Sequence, residues 1–273
     1  MKLYFFQAGT LKSFRSVFFN NGGDSQIHVP APFFLIQHRG KNILFDTGQH
    51  KDDIKDHFTP TLKTFATAFM DIETEYAPNA IKKVGLTPED IDFVIISHLH
   101  HDHAGAIGEF PNATYIVQRE EYDYVRRPDY FMAASYFNDE APAAVNNYDM
   151  KGTEWQNLPT NVDWFFLDGW QDDKFDIFGD GKIVIYYTPG HTVGHQSLMV
   201  RTDKDGDFFL TADACYTNES IELGILPGIV VKPQDYIRSL KRIRMFKKAG
   251  LTVVTGHDDE AWETFRHAPE YYE

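Results

Sequence analysis

The sequence predicts an α/β protein, and two patterns carry that reading. Short apolar runs rich in Val, Ile, Phe and Tyr recur along the chain: Phe33 to Ile36, Ile43 to Phe45, Phe93 to Ile96, Tyr115 to Val117, Trp164 to Leu167, Ile183 to Tyr187, Phe208 to Leu210 and Leu251 to Val254. Their length and their β-branched and aromatic content read as strands. Between them, Phe58, Leu62, Phe65, Phe69 and Ile72, and later Tyr236, Leu240, Ile243 and Phe246, recur every three or four positions, which predicts two one-sided helices packed on a core. Residues 120–150 differ: Tyr122, Tyr124, Tyr130, Phe131, Met132, Tyr136 and Phe137 crowd around Pro128 without a clean period. That predicts a partly helical insertion laid over something as a lid.

With 273 residues, 42% hydrophobic and 15% aromatic, the chain can bury a sizeable core. It has no low-complexity linker, charge block or internal repeat, so one domain over 1–273 is expected, with the insertion near 120–150. A net charge of -14 argues against a nucleic-acid partner, whose binding draws on clustered Lys and Arg. The single cysteine, Cys215, excludes an internal disulfide framework and a Cys-based zinc site. The start Met1-Lys2-Leu3-Tyr4-Phe5-Phe6 lacks the long apolar stretch of a signal peptide, and no run approaches the roughly 20 apolar residues of a membrane span. A cytoplasmic protein with no membrane partner is expected, and the sequence leaves its assembly open, a homodimer included.

The chemistry concentrates in one segment. Of 12 histidines, four fall in Ser97-His98-Leu99-His100-His101-Asp102-His103-Ala104-Gly105, just past the strand Phe93 to Ile96. If the segment starts extended, His98 and His100 project to one side, and a turn then presents Asp102 and His103. Packed imidazoles repel when protonated and gain nothing when neutral, so a shared cation is the economical explanation. Nitrogen and oxygen donors of this kind suit Zn²⁺, Fe²⁺, Co²⁺ or Mn²⁺. His101 is out of phase and reads as pocket lining or support for a ligand. Three more strands run into candidate ligands: Ile183 to Tyr187 into His191, Phe208 to Leu210 into Asp213, and Leu251 to Val254 into His257. Loops at strand ends carry function on a rigid scaffold, and five histidines with two aspartates are enough for two metal ions sharing a carboxylate.

This ordered set resembles the metallo-β-lactamase superfamily. The matching pieces are Asp46-Thr47-Gly48, His98-x-His100-x-Asp102-His103, His191 within Pro189-Gly190-His191-Thr192-x-Gly194-His195, Asp213 and His257. The resemblance implies a four-layer αββα sandwich, one divalent metal on His98, His100 and His191, a second on Asp102, His103 and His257, and Asp213 bridging them. Zinc is the expected ion, with iron, cobalt or manganese as alternatives. Within the superfamily the sequence looks most like the N-acyl-homoserine lactonases, which silence quorum-sensing signals. The supporting residues are His98 to Gly105, Pro189 to Leu198 and Asp213-Ala214-x-Tyr216, with Gly256-His257-Asp258 and Pro269-Glu270-Tyr271-Tyr272 at the end. In that family the tyrosine at the position of Tyr216 contacts the substrate carbonyl. Two departures stand out: a large apolar residue is common where this chain has His101, and the loop Leu11 to Asn20 matches nothing firmly. The resemblance therefore does not fix an acyl-chain preference.

The implied reaction is hydrolysis of a lactone. Two cations roughly 3.5 to 4 Å apart lower the pKa of a bridging water from about 15.7 towards 7, giving a hydroxide nucleophile at neutral pH. Tyr216 would support the oxyanion, and Asp102 would pass a proton to the leaving alkoxide. Asp46 reads as a residue that orients ligand histidines, Gly48 as a turn residue, His195 as structural and Cys215 as a small buried filler. His28, His38, His50, His57 and His267 show no partner pattern. The related 4-pyridoxolactonases share the metal motifs and remain an alternative. Glyoxalase II-type thioesterases would want basic residues for a glutathione carboxylate, a single-iron sulfur dioxygenase fewer ligands, and diiron oxygen reductases a glutamate where this chain has His100. Outside enzymes, a metal-binding or ligand-sequestering protein is the alternative, and the intact bridging set with Tyr216 argues against it.

Overall fold

Seven strands of the computed structural model, which describes residues 1–55, 60–126, 128–129, 158 and 162–273, form one sheet. They are β1 (Lys2–Phe14), β2 (Gln26–His38), β3 (Lys41–Phe45), β4 (Ala66–Phe69), β5 (Phe93–Ile95), β6 (Thr114–Gln118) and β7 (Asp163–Leu167), in the order β4-β1-β2-β3-β5-β6-β7. A second sheet has the order β12-β11-β10-β9-β8, built from β8 (Lys174–Asp176), β9 (Ile183–Tyr187), β10 (Gln196–Arg201), β11 (Asp207–Leu210) and β12 (Thr252–Val254). Every strand run read from the sequence falls on one of these elements, Ile96 and Leu251 standing one residue outside β5 and β12.

Alternation along each strand decides the layering, because successive side chains leave opposite faces. Leu3 and Phe5 of β1 join Phe34, Ile43, Phe45, Ile95 and Ile116 on the inner face of the first sheet, against Ile183, Ile185, Leu198, Val200, Phe208 and Leu210 of the second. Tyr4 and Phe6 point the other way. They join a second core with Tyr76, Ala77, Ala80 and Ile81, where α1 (Arg15–Phe18), α2 (Pro60–Lys63), α3 (Ile72–Glu75) and α4 (Ala77–Ala80) occur. α5 (Arg119–Tyr124) adds Tyr122 and Tyr124 to that same core, while on the far side Tyr186, Met199 and Phe209 pack with Ile221 of α6 (Asn218–Leu223) and Tyr236, Leu240 and Ile243 of α7 (Pro233–Lys248). Helices outside two facing sheets make the four-layer αββα sandwich, as expected. The spacing of Tyr236, Leu240, Ile243 and Phe246 falls on α7, with the first three buried.

The helix expected from Phe58 to Ile72 does not form. Among its described residues, Pro60–Lys63 is helical and Ile72 opens the separate α3, while Ala66–Phe69 is strand β4, paired antiparallel with β1 from Thr10↔Phe69 to Ser13↔Ala66. Its burial alternates residue by residue, the period of a strand, so Phe69 is exposed where the helical reading buried it. The unpaired edge of β1 captured the segment, and ladder hydrogen bonds outweighed a helical spacing held by only a few residues. Phe58 lies outside the described residues, as do residues 130–150 of the expected insertion; its described beginning holds the short helix α5. No helix among the described residues is long and apolar enough to cross a membrane.

Phe5 is fully buried between the sheets, 4.9 Å from Phe34 and stacked 5.7 Å from Trp262. Phe5→Ala is expected to lower the unfolding free energy by about 3–5 kcal/mol in urea titration. A loss within the roughly 0.5 kcal/mol typical of surface changes would contradict the packing described.

Candidate metal centre

Five loops past the carboxyl ends of buried strands converge between the two sheets. β3 leads into Asp46 to Gln49, β5 into Ser97 to Gly105, β9 into Thr188 to His195, β11 into Thr211 to Tyr216 and β12 into Thr255 to Asp258. The second loop turns tightly, His100 O accepting from both His103 N (3.1 Å) and Ala104 N (3.0 Å). That turn returns Asp102 and His103 towards His98. The first loop locks it: Thr47 N donates to His103 O at 2.7 Å and Gly105 N to Gly48 O at 2.8 Å. Gly48 has φ +67°, and a Cβ there would stand 2.1 Å from Ala8 Cβ, so the turn needs glycine.

Asp213 lies at the centre of the cluster. Its Oδ2 is 3.7 Å from His98 Nε2 and 3.2 Å from His191 Nε2, while Oδ1 is 3.2 Å from His103 Nε2 and 3.1 Å from His257 Nε2. One carboxylate thus addresses two groups able to hold metal ions: His98, His100, His191 and Asp213, and beside them Asp102, His103 and His257. All are buried. Asp102 Oδ2 is 3.6 Å from His257 Nε2 and 3.9 Å from His103 Nε2.

The outward nitrogens are committed elsewhere. His257 Nδ1 reaches Pro30 O at 2.8 Å and His191 Nδ1 reaches Ile229 O at 3.2 Å; a carbonyl only accepts, so both Nδ1 atoms donate. His103 Nδ1 donates to Asp46 Oδ2 at 2.9 Å. Ser97 Oγ donates to the same oxygen at 2.7 Å, so it accepts from His98 Nδ1 at 2.9 Å. Each imidazole, when neutral, therefore turns an Nε2 lone pair towards the Asp213 carboxylate. Lone pairs facing a carboxylate repel unless a cation or proton lies between them. His98 Nε2, His103 Nε2 and Asp213 Oδ1 are buried and make no hydrogen bond among the described residues. This donor set fits two divalent transition-metal ions.

The charges follow from burial and spacing. Burial, then the neighbouring imidazoles, holds His98 and His100 well below the usual histidine range. Burial would also lower His103, but Asp213 and Asp102 outweigh it and raise this ring well above that range. Burial opposes ionisation of Asp213, yet His103, His257 and His191 hold it well below the usual carboxylate range. Burial and then Asp213 push the Tyr216 phenol up, so it stays protonated.

Tyr216 packs 5.2 Å from Phe18 and 5.5 Å from His191 between ring centroids, its hydroxyl 3.3 Å from His191 Nδ1. Since that nitrogen donates, the phenol oxygen accepts there, and its own proton is turned to the Asp213 carboxylate. Leu11, Val17, Phe18, Leu62, Phe65 and Ile229, with His101, wall a cavity of about 50 Å³ over the cluster. Leu11, Val17 and Phe18 come from the N-terminal segment that the sequence left unmatched. His101 is buried, its Nδ1 3.5 Å from Asp53 Oδ2 and its Nε2 4.0 Å from Asp102 Oδ1. His195 lies beside His98 at 5.1 Å, its Nδ1 3.0 Å from Thr188 Oγ1. Cys215 is buried and free, its thiol pushed up to about 12 by burial. His38 pairs with Asp180 at 2.7 Å away from the cluster, and His57 lies outside the described residues. The sequence reading missed the carbonyls of Pro30 and Ile229, which carry no sequence signal, and Ser97, whose position before His98 was the only clue.

A family model described as the metallo-beta-lactamase superfamily matches residues 29–257. The sequence is 39% identical to the N-acyl homoserine lactonase AttM of Rhizobium radiobacter, over 100% of this chain and 98% of that protein. It is 30% identical to the N-acyl homoserine lactonase AiiA of Bacillus thuringiensis subsp. kurstaki, over 99% and 98% respectively. A solved N-acyl homoserine lactone hydrolase, with the product N-hexanoyl-L-homoserine bound at its catalytic metal centre, superimposes with a TM-score of 0.81 at 28% identity. That match covers 99% of this chain and 98% of the other.

The metal-free protein is expected to be most stable near the ordinary histidine pKa of about 6.5. His98, His100 and His195 are held below that value, so below it unfolding takes up protons and stability falls. His101, His103 and His257 are raised, and the stability they give is lost as pH climbs through their folded values. Urea midpoints of chelator-treated protein between about pH 5 and 8 measure this; a midpoint rising steadily to the alkaline end would contradict it.

Proposed function

The chain belongs to the metallo-β-lactamase superfamily, and from that premise we propose that it is a binuclear metal-dependent lactonase opening the ring of N-acyl-homoserine lactones. The observation that carries the reading is Asp213, whose two oxygens face two separate histidine groups with the protonated Tyr216 hydroxyl beside them. One metal is assigned to His98, His100 and His191 and the other to Asp102, His103 and His257, with Asp213 serving both. Zinc suits these nitrogen and oxygen donors. Cytoplasmic signal degradation belongs to the same proposal, a lone free cysteine suiting a reducing compartment.

When bound, the two ions supply Lewis acidity and water acidified towards a pKa of about 7. The chain's own residues do the rest. The apolar wall of Leu11, Val17, Phe18, Leu62 and Phe65 excludes bulk water and presents an apolar surface to an uncharged lactone. Tyr216, which stays protonated, donates a hydrogen bond to the carbonyl oxygen as water adds at the carbonyl carbon and charge develops. Asp102, ionised beside His101, takes up the proton that the attacking water loses and, as the ring C–O bond breaks, returns it to the leaving oxygen. The product is the open hydroxy acid. The substrate class comes from the names and bound product of the relatives, and an uncharged lactone suits a chain of net charge -14.

Metal-loaded protein incubated with acyl-homoserine lactones of several chain lengths, pyridoxolactone and thioesters is expected to release acid from the first group. Fast turnover of pyridoxolactone with poor hydrolysis of every acyl-homoserine lactone would move the substrate to the second. Elemental analysis should find two ions per chain, and Asp213→Ala should lose turnover with at least part of the metal. Tyr216→Phe should keep the metal and lower kcat/KM by no more than about 2.7 kcal/mol, the low end for one oxyanion donor. An unchanged kcat/KM would leave Tyr216 a packing residue.

A further inference from the structure

Glu121 is a carboxylate with no exposed surface, in a chain whose acids are mostly solvated. It lies in α5, outside every motif that named a ligand. Its Oε1 accepts from Leu99 N at 3.1 Å, and its Oε2 accepts from Gly194 N at 3.0 Å. Leu99 stands between His98 and His100, on the loop after β5 of the first sheet. Gly194 stands three residues past His191, on the loop after β9 of the second. One side chain therefore clasps both loops whose histidines form a triangle of rings, with centroids 4.5, 4.8 and 4.7 Å apart.

We infer that Glu121 is a positioning residue that sets the spacing between the His98–His100 loop and the His191 loop, and so tunes one metal site of the pair. The inference rests on the ligand assignment proposed above. Three physical points support it. Each carboxylate oxygen takes a backbone N–H from a different loop in a buried place, so drawing the loops apart would strand a buried donor, at the cost of its desolvation. The fit is close: a Cβ on Gly194 would stand 2.5 Å from Glu121 Cβ and 2.6 Å from Glu121 N, so only glycine lets the loop approach. Neighbouring amides extend the clasp, Gln118 Nε2 donating to Gln196 Oε1 at 2.9 Å and Gln196 Nε2 to Ile96 O at 2.8 Å. The other metal group takes Asp102, His103 and His257, and His103 and His257 are held through Asp46 and Pro30 instead. An effect of Glu121 should thus fall on one site and spare the other.

The test is titration of metal-free protein with Co²⁺ alone, following visible absorption and stoichiometry. Glu121→Gln replaces one acceptor by an NH₂ that meets an N–H donor. One of the two Co²⁺ ions should bind about 10- to 100-fold more weakly with altered absorption bands, the loss typical of residues supporting metal ligands. The other ion should bind as in the parent. In a His191→Ala background, which already removes a ligand from the affected site, Glu121→Gln should add nothing. Gly194→Ala, which pushes the same two elements apart, should weaken the same ion, and it decides the matter if the Gln variant does not fold. Two ions bound as in the parent, or both weakened equally, would overturn the inference even if the melting temperature fell. Because the readout is metal alone, a parent chain that binds two ions yet opens no lactone would sink the substrate reading and leave this one standing.

Discussion

The centre of this protein depends on a repulsion that must be relieved. Four imidazole Nε2 atoms are held 3.1 to 3.7 Å from the oxygens of the Asp213 carboxylate in a buried place. Neutral rings would present lone pairs to a negative charge, and protonated rings would crowd positive charges together. A pair of cations resolves both problems at once. The scaffold cannot escape the conflict by turning the rings, because Asp46, Ser97, Pro30 and Ile229 occupy their outward nitrogens. Stability of the surrounding layers is what keeps these groups together, and the interior between the sheets is where that stability resides.

Asp46 shows how economically the aiming is done. Its Oδ2 receives both His103 Nδ1 and Ser97 Oγ, and Ser97 passes the constraint on to His98. One carboxylate therefore orients histidines belonging to both metal groups. It stands at φ +60°, a backbone conformation that most residues avoid, next to Gly48, whose own turn admits no side chain. The cost of that local strain is offset by four strong bonds made across the site: Ser97 N and Oγ and His103 Nδ1 to Asp46, and Thr47 N to His103 O.

The substrate side is built differently from the metal side. Metal donors come from loops at strand ends of both sheets, whereas the apolar wall, Ile229 apart, comes from the end of β1, from α1 and from the residues around β4. Reaction chemistry and substrate preference thus reside in separable parts of the chain, which accounts for the metal motifs matching a family firmly while Leu11 to Asn20 matched nothing.

The sequence by itself determined the elements whose signal is local. Eight strand runs, the amphipathic face of α7, and the placing of His98, His100, Asp102, His103, His191, Asp213 and His257 just past strand ends could all be read from type and spacing. Only the tertiary structure decided what depends on partners far along the chain. Phe65 and Phe69 keep a helical spacing, yet Ala66–Phe69 became a strand because β1 offered an edge to pair with. Glu121 reads as one more acid in a charged stretch until Leu99 and Gly194 close on it from two different loops. Aiming of the rings falls partly to the carbonyls of Pro30 and Ile229, which every residue possesses. Hydrophobic period and ligand type are properties of a segment, whereas strand capture, burial of a charge and the direction of a hydrogen bond are properties of two segments meeting.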